Sequence, residues 1–464
     1  MLLNSKKYIG TKAFYKSLLT VMVPILIQNA ITNFISLLDN VMVGQIGTEQ
    51  MSGVSIVNQL LFVFYLCIFG TISGAGLFTA QFFGKRDHEG VRHTFRFKLY
   101  AAAVLFVLAF ALLLFWGEPL IRLYLHEGSE TGDLALTLGY AKEYLLISLI
   151  GLLPYTVTQV YAGTLREIKH TVPPMTAGLC GVAVNLVLNY ILIFGKFGAP
   201  MLGVAGAAIA TVISRFVECA IVIIWTHSHT EKCEFIKGAY RSPYIPAPLM
   251  KRIAITGIPL MLNETVWAAG QAMLLQCYSV RGIAVVSAMN ITNTVNNTFS
   301  VLFMAVGSAV AILLGHQLGA GKTDEARADA KKMIVFSVFM GLLSGILVAI
   351  AAPIFPQIYN TTDEVRSLAV EFSIIMAFCS PLHAFLHAAY FTIRSGGKTL
   401  ITFLFDSGYV WCINVVLAFT LSRYTALSAP LVYLTVQGVD LIKAAIGTVL
   451  VKKGTWATDM TEQL

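Results

Sequence analysis

Twelve long apolar runs divide the sequence, and they constrain its fold more than any other feature. A helix needs about 20 apolar residues to cross a bilayer. The short alternating segments of a β-barrel do not occur in the sequence. The pattern therefore predicts an all-α polytopic membrane protein whose transmembrane helices lie at 17–43, 53–83, 97–116, 136–162, 172–194, 202–226, 253–280, 283–314, 333–352, 367–393, 399–421 and 427–450.

The composition agrees with a protein whose solvent is mostly lipid. Hydrophobic residues make up 57% of the chain and charged residues 12%, and the mean hydropathy is +0.75. A soluble domain carries about 25% charged residues, so this chain lacks the polar residues to build a hydrated shell. A soluble enzyme, a nucleic-acid-binding domain and a disordered protein are excluded on this ground.

The distribution of lysine and arginine predicts the orientation in the membrane. With the N-terminus inside, 25 of the 32 basic residues fall in inner segments or towards the inner ends of spans, 6 fall in outer segments or towards outer ends, and Arg215 lies within a span. Inner loops of membrane proteins carry the excess of positive charge. We therefore expect a multi-pass protein of the cytoplasmic membrane with both termini in the cytosol.

The two halves of the chain repeat each other weakly but in the same order. At an offset of 235, VPILIQNAITN (23–33) aligns with IPLMLNETVWA (258–268), and at an offset of 228 the segment 140–171 aligns with 368–399. Because each half has an even number of helices, six, both halves have the same orientation in the membrane. The sequence predicts two six-helix lobes related by a pseudo-two-fold along the membrane normal, with an N-lobe at 1–226, a cytosolic linker at 227–249 and a C-lobe at 250–464.

Acidic residues inside the predicted spans are candidates for function, because a charge in lipid costs about 2.5–3.5 kcal/mol on insertion scales. Asp39, in helix 1, is a proton or cation site of the N-lobe, or else an interfacial residue that caps the following loop. Glu264 follows Pro259 by five residues, and the proline leaves a backbone carbonyl free for a cation. The alternative for Glu264 is a buried structural carboxyl.

Histidines form a second group of candidates near Asp406. Counted from the turn at Gly396, His387 and Asp406 lie at nearly one depth, and His383 lies one turn away. A carboxylate beside imidazoles can hold or pass a proton, so we expect hydrogen bonds between Asp406 and these histidines. A neutral, hydrogen-bonded core pair is the alternative.

Three further polar pairs lie at helical spacing. Asn185 and Asn189 are one turn apart and could share the Asp39 site or simply join helices. We interpret Asp440 and Lys443, and likewise Arg215 and Glu218, as i,i+3 interfacial salt bridges.

Several longer motifs resemble the multidrug and toxic compound extrusion (MATE) family over almost the whole chain. They are PILIQNAITNFISLLDNVMVGQIGT (24–48), GKRD (84–87), NLVLNYILIFGKFGAPMLGVAGAAIATVISR (185–215), GIPLMLNETVWAAG (257–270) and LGAGKTDEAR (318–327). The resemblance implies export of amphipathic organic cations by antiport with H⁺ or Na⁺, with alternating access between the lobes.

The resemblance carries over residue by residue. It implies that Asp39 and Asn185 match N-lobe site residues, that Asn189 stands where some members are acidic, and that Glu264 matches the C-lobe cation site. His383 stands where NorM-like members have an aspartate, so Asp406 would have to supply the missing carboxylate. Glu264 and Asp406 are therefore candidate metal ligands only for Na⁺ coupling, and the histidine favours H⁺.

These expectations define a transporter rather than an enzyme. The phosphate-binding motif GxxxxGK[ST] is absent from the sequence, and we expect no cofactor and no nucleic-acid partner, only the bilayer, the coupling ion and cationic cargo for a monomer. The alternative function is a flippase for a lipid-linked precursor, which shares the lobe architecture. Such a flippase would need several basic residues in its cleft.

Overall fold

The fold is taken from a computed structural model. It describes residues 8–45, 47–124, 134–359 and 361–462, but not the side chains at 34–41, 43, 44 and 48. Over these ranges the ordered structure is entirely helical, with α1 Lys12–Gly44, α2 Thr48–Gly84, α3 His88–Arg122, α4 Leu134–Glu167, α5 Val172–Phe194, α6 Gly203–Ser228, α7 Ala247–Ser279, α8 Ile283–Gly319, α9 Thr323–Ala351, α10 Asp363–Ser395, α11 Thr399–Tyr424 and α12 Ala429–Lys453.

The helices confirm the predicted all-α membrane fold. Eleven of them, within the described residues, are long and apolar enough to cross a bilayer. The twelfth, α7, is 33 residues long and carries the polar pair Asn263 and Glu264 near its middle. The two short 3-10 helices outside these spans are Glu234–Ile236 and Phe355–Ile358.

Two of the helices are irregular at their centres. The middle of α11 is π-helical over Leu404–Gly408 and Val410–Val415. In α12 the regular structure is interrupted at Val439, between Gly438 and Asp440. π-Helical turns often occur at functional sites, and both irregular regions contain polar side chains described below.

The chain divides into two compact units. The C-terminal unit comprises Met1–Leu26, Ala80–Asp87 and Lys251–Leu464, and the N-terminal unit comprises Ile27–Thr79 and His88–Met250. The start of α1 belongs with the second half because Leu18 and Met22 are buried in one core with Val310 and Ala388. The lobe boundaries predicted at 226 and 250 remain a prediction.

Small residues bring α9 and α10 into close contact in the C-terminal unit. A Cβ atom at Gly341 would lie 2.4 Å from the Ala384 Cβ, and one at Gly345 would lie 2.3 Å from the Ala377 carbonyl oxygen. Glycines one turn apart allow this backbone approach in membrane helices. The packing holds α10 in place, and α10 supplies several of the polar groups of the candidate site.

Arginines of α3 fix the linker to the N-terminal unit. Arg96 donates hydrogen bonds to the carbonyls of Ala239, Tyr244 and Gly238 at 2.7, 3.0 and 2.8 Å. Cys233 lies in this linker with 0% of its surface exposed, and burial raises the pKa of its thiol to about 11. The thiol is therefore protected both sterically and by its protonation.

We expect Arg96→Ala to release the linker and to speed alkylation of Cys233 by N-ethylmaleimide at least about tenfold. The loss of even one hydrogen bond to a charged group is worth about 1.5 kcal/mol, which corresponds to that factor. Peptide-resolved mass spectrometry measures the rate. Arg241→Ala, an exposed position in the same linker, serves as the control, and rapid alkylation of the unmodified protein would contradict the docked linker.

Candidate functional site

Glu264 lies in α7 beside two side chains of α10. Its Oε1 is 3.6 Å from Nη1 of Arg394, and the Tyr390 hydroxyl forms a hydrogen bond with its carboxylate. Arg394 is only 3% exposed and Glu264 is 18% exposed. A partly buried carboxylate is stabilised by such a partner, since an unpaired charge in a low-dielectric interior is strongly destabilising.

Asn263 connects three helices through one amide group. Its Nδ2 donates to the Tyr390 hydroxyl at 3.1 Å and to Oδ2 of Asp406 at 3.2 Å. Its Oδ1 accepts from the Ser407 hydroxyl at 2.7 Å. α7, α10 and the π-helical part of α11 are therefore held together by hydrogen bonds.

Asp406 pairs with Lys443 of α12. The Nζ of Lys443 is 2.9 Å from Oδ1 of Asp406, and the Lys443 side chain is 8% exposed. The predicted Asp440–Lys443 salt bridge is wrong, because the long lysine side chain reaches across to α11. The other predicted pair, Arg215 with Glu218, is present at 3.1 Å.

His383 and His387 have other partners than the predicted ones. The Nε2 of His383 is 3.0 Å from Oε1 of Gln437 and 3.9 Å from Oδ2 of Asp440. His387 hydrogen-bonds to the backbone of Met304 and packs between the rings of Phe303 and Phe391.

The expected hydrogen bonds from the imidazoles to Asp406 are absent from the contacts that the structure describes for these residues. Asp406 still lies close enough to His387 to interact electrostatically. His387 and Asp406 therefore lie in one region, as their common depth predicts, but the predicted partner of His383 is wrong, because His383 lies by Asp440.

Asp440 is the residue that the sequence interpretation placed wrongly. It is buried and accepts a hydrogen bond from Nδ2 of Asn414 at 3.0 Å. With Glu264, Arg394, Asp406 and Lys443 it forms what we call the C-terminal charge cluster. Two residues in the sequence could have indicated the cluster. Arg394 directly follows the predicted span 367–393 and Lys443 lies inside the predicted span 427–450, although the charge count assigned both to inner segments.

The charges of this cluster do not balance. Arg394 offsets Glu264 and Lys443 offsets Asp406, which leaves the carboxylate of Asp440 beside the imidazole of His383 and the amide of Asn414. The cluster therefore has a formal charge of one negative unit, which one added positive charge would neutralise. Groups of three or more His, Cys, Asp or Glu suited to a metal are absent among the described residues.

In the N-terminal unit, Asn185 and Asn189 form one hydrogen-bonded chain. The Nδ2 of Asn189 donates to Oδ1 of Asn185 at 3.1 Å, and the Nδ2 of Asn185 donates to the Thr211 hydroxyl at 3.2 Å. The chain joins α5 to α6, as the helix-joining alternative predicts. The side chain of Asp39 lies outside the described ones, so its predicted role stays a prediction.

Charged groups held inside membrane helices mark ion and substrate pathways, and the fold and cluster together define a membrane transporter. The sequence profile described as MatE matches the chain twice, over residues 24–191 and 259–420. The two matches cover most of the chain and begin at the corresponding prolines of the repeat. The chain belongs to the MatE family.

Relatives of this family match over nearly the whole chain. A probable multidrug resistance protein NorM of Bacillus licheniformis is 27% identical over 423 residues, which are 89% of this chain and 90% of the relative. The multidrug resistance protein MdtK of Edwardsiella ictaluri is 25% identical over 365 residues, 78% of each chain.

A solved structure shows the same fold. It is an outward-facing multidrug resistance MATE family transporter of the MOP superfamily, with a TM-score of 0.85 at 18% identity over 97% of each chain. The fold of twelve transmembrane helices in two lobes, predicted from the sequence, is thereby confirmed.

Replacing Lys443 by Met should leave the partly buried carboxylate of Asp406 without its cation and cost about 3 kcal/mol of stability, the lower end of the range for breaking a buried pair. Adding Asp406→Asn should restore most of that loss, because the double variant contains neither charge. The midpoint of thermal unfolding in detergent measures both effects. Lys452→Met, exposed at the end of α12, is the control. Additive losses in the double variant would show that the pair does not couple.

Proposed function

We propose that the protein is an ion-coupled antiporter that exports amphipathic organic cations by alternating access. Membership of the MatE family and relatives named as multidrug resistance proteins support export of drugs. The observation that carries the proposal is the excess carboxylate of the C-terminal charge cluster. A site with one uncompensated negative charge can bind a coupling ion and a cationic cargo in turn.

The proton suits this cluster better than sodium. Asp406 and Glu264, the candidate sodium ligands, already face the cations Lys443 and Arg394. A further Na⁺ between them would meet two positive charges at close range. Hard cations also require several oxygen ligands, and His383 supplies a nitrogen where NorM-like members supply a carboxylate.

Asp440 and His383 are the pair that we propose to hold the proton. The Nε2 of His383 lies 3.9 Å from Oδ2 of Asp440. A buried carboxylate beside an imidazole can share a proton without a metal. Gln437 orients the histidine at 3.0 Å, and Asn414 orients the carboxylate. Protonation neutralises the excess charge of the cluster, and arrival of a cationic cargo favours loss of that proton.

Asp39 remains a second proposed site, in the N-terminal unit. The sequence resemblance supports it, and Asn185 and Asn189 are proposed to act with it. We further propose a monomer in the cytoplasmic membrane with both termini in the cytosol, on the basis of the lysine and arginine distribution.

A lipid flippase, the alternative function, is not favoured. The relatives described above are named as multidrug resistance proteins. The C-terminal charge cluster also has a carboxylate in excess, whereas an anionic pyrophosphate lipid would require an excess of cations.

We expect Glu264→Gln and Asp440→Asn each to reduce efflux of a fluorescent organic cation at least about 100-fold. Each change removes one carboxylate charge of the cluster, and even a small displacement of a reacting group can lower a rate by about that factor. Inverted membrane vesicles with an imposed proton gradient measure the rate, and immunoblotting verifies insertion. Asp363→Asn, whose side chain is 98% exposed at the start of α10, is the matched control. Normal efflux by Asp440→Asn would remove the His383–Asp440 pair from the proposal.

A further inference from the structure

The repeat relates the charged residues of the two units. The offset of 228 that aligns 140–171 with 368–399 places Arg166 on Arg394, and the same offset places Arg215 on Lys443. The two cations of the C-terminal charge cluster therefore have counterparts in the N-terminal unit. The acidic residues that pair with these cations, however, do not lie at corresponding positions in the two units.

The carboxylates that neutralise these cations differ between the units. Glu264 corresponds to Asn29 at the offset of 235, and Asp406 corresponds to Gly178 at the offset of 228. Glu218 partly replaces them: its Oε1 lies 3.9 Å from the place where a Cβ atom of Gly178 would stand. One carboxylate thus serves the region where the C-terminal unit has two.

Glu218 is paired with Arg215 at 3.1 Å. Glu167 and Glu218 also interact electrostatically with Arg166, but the hydrogen-bond partner of Arg166 is the neutral Gln28. The Nη1 of Arg166 is 3.5 Å from Oε1 of Gln28. The neighbouring carboxylate, Glu167, is engaged by the buried ammonium of Lys98. Asp39 lies eleven residues beyond Gln28 on α1, which is about 16 Å along the helix axis. The described groups around Arg166 therefore carry one positive charge in excess.

Aromatic rings complete this region. The guanidinium of Arg215 lies over the ring of Tyr155 at 5.2 Å from its centroid, and the centroids of Tyr155 and Tyr65 are 4.4 Å apart. We call the region the arginine site, and its members are Gln28, Tyr65, Tyr155, Arg166, Arg215 and Glu218.

All members of the arginine site except Glu218 are partly exposed, and the Arg215 side chain is 32% exposed. An arginine near the middle of a membrane helix is too costly to face lipid. A partly exposed guanidinium there indicates a water-accessible surface.

We propose that the arginine site binds the carboxylate of an aromatic cargo. Guanidinium groups bind carboxylates with paired, charge-assisted hydrogen bonds, and the ring of the cargo would stack on the tyrosines. One excess positive charge matches one carboxylate, whereas a pyrophosphate carries more charge. The proposal rests on the proposed export function and assigns the residues that bind a carboxylate group of the cargo.

Rhodamine B and its ethyl ester test the proposal, because the dyes share one cationic fluorophore and differ in a free carboxylate. Fluorescence anisotropy measures binding to the full chain in phosphatidylcholine nanodiscs. We expect Arg166→Gln to weaken rhodamine B binding about tenfold, the value of one charge-assisted hydrogen bond, and ester binding less than twofold. Arg166→Lys should retain most of the rhodamine B affinity, and Arg122→Gln, an exposed position in the same unit, should change neither dye.

An equal loss of affinity for both dyes in Arg166→Gln would assign the arginine a structural role and overturn the proposal. Unchanged affinity for both dyes would also overturn it. Nanodiscs with phosphatidylglycerol form a second arm. If this lipid abolishes the preference for rhodamine B over the ester in the unaltered protein, the site belongs to a lipid headgroup and the cargo proposal fails. Failure of the export function is distinguishable, because vesicles would then export neither dye whatever the binding results.

Discussion

The ion pair between Lys443 and Asp406 organises the polar interior of the C-terminal unit. It joins α12 to α11, and Asn263 extends the contact to α7 and α10. Because the ammonium of Lys443 neutralises Asp406, this carboxylate needs no bound ion to be stable in the membrane. The remaining charge is on Asp440, and the possible coupling chemistry follows from that residue.

The sequence predicted the helices well because hydropathy and length alone determine which segments can cross a bilayer. All twelve predicted spans overlap a helix, including α7, where Asn263 and Glu264 interrupt the apolar run. Depth along the membrane was also predictable, since His387 and Asp406 do lie close to one another. The partners were not, because they depend on the rotation of each helix. The π-helical turns of α11 change that rotation by an amount that the sequence does not reveal, and the reach of Lys443 favours α11 over its own neighbour Asp440.

The two repeats keep the same helices and basic positions but differ in their acids. The C-terminal charge cluster has one carboxylate more than its cations, and the described region around Arg166 has one cation more than its carboxylates. Asn29 and Gly178 stand where the C-terminal unit has Glu264 and Asp406, and this difference gives each unit its own electrostatic preference. A single chain can then recognise positive and negative groups with the same scaffold.

We propose that a proton, rather than sodium, neutralises Asp440. Purified protein in weakly buffered solution can be titrated with tetraphenylphosphonium while a pH-sensitive dye records proton release. We expect release of about one proton per cation bound, equal in sodium chloride and choline chloride, and no release from Asp440→Asn. Binding without proton release, together with displacement of radioactive sodium, would contradict it.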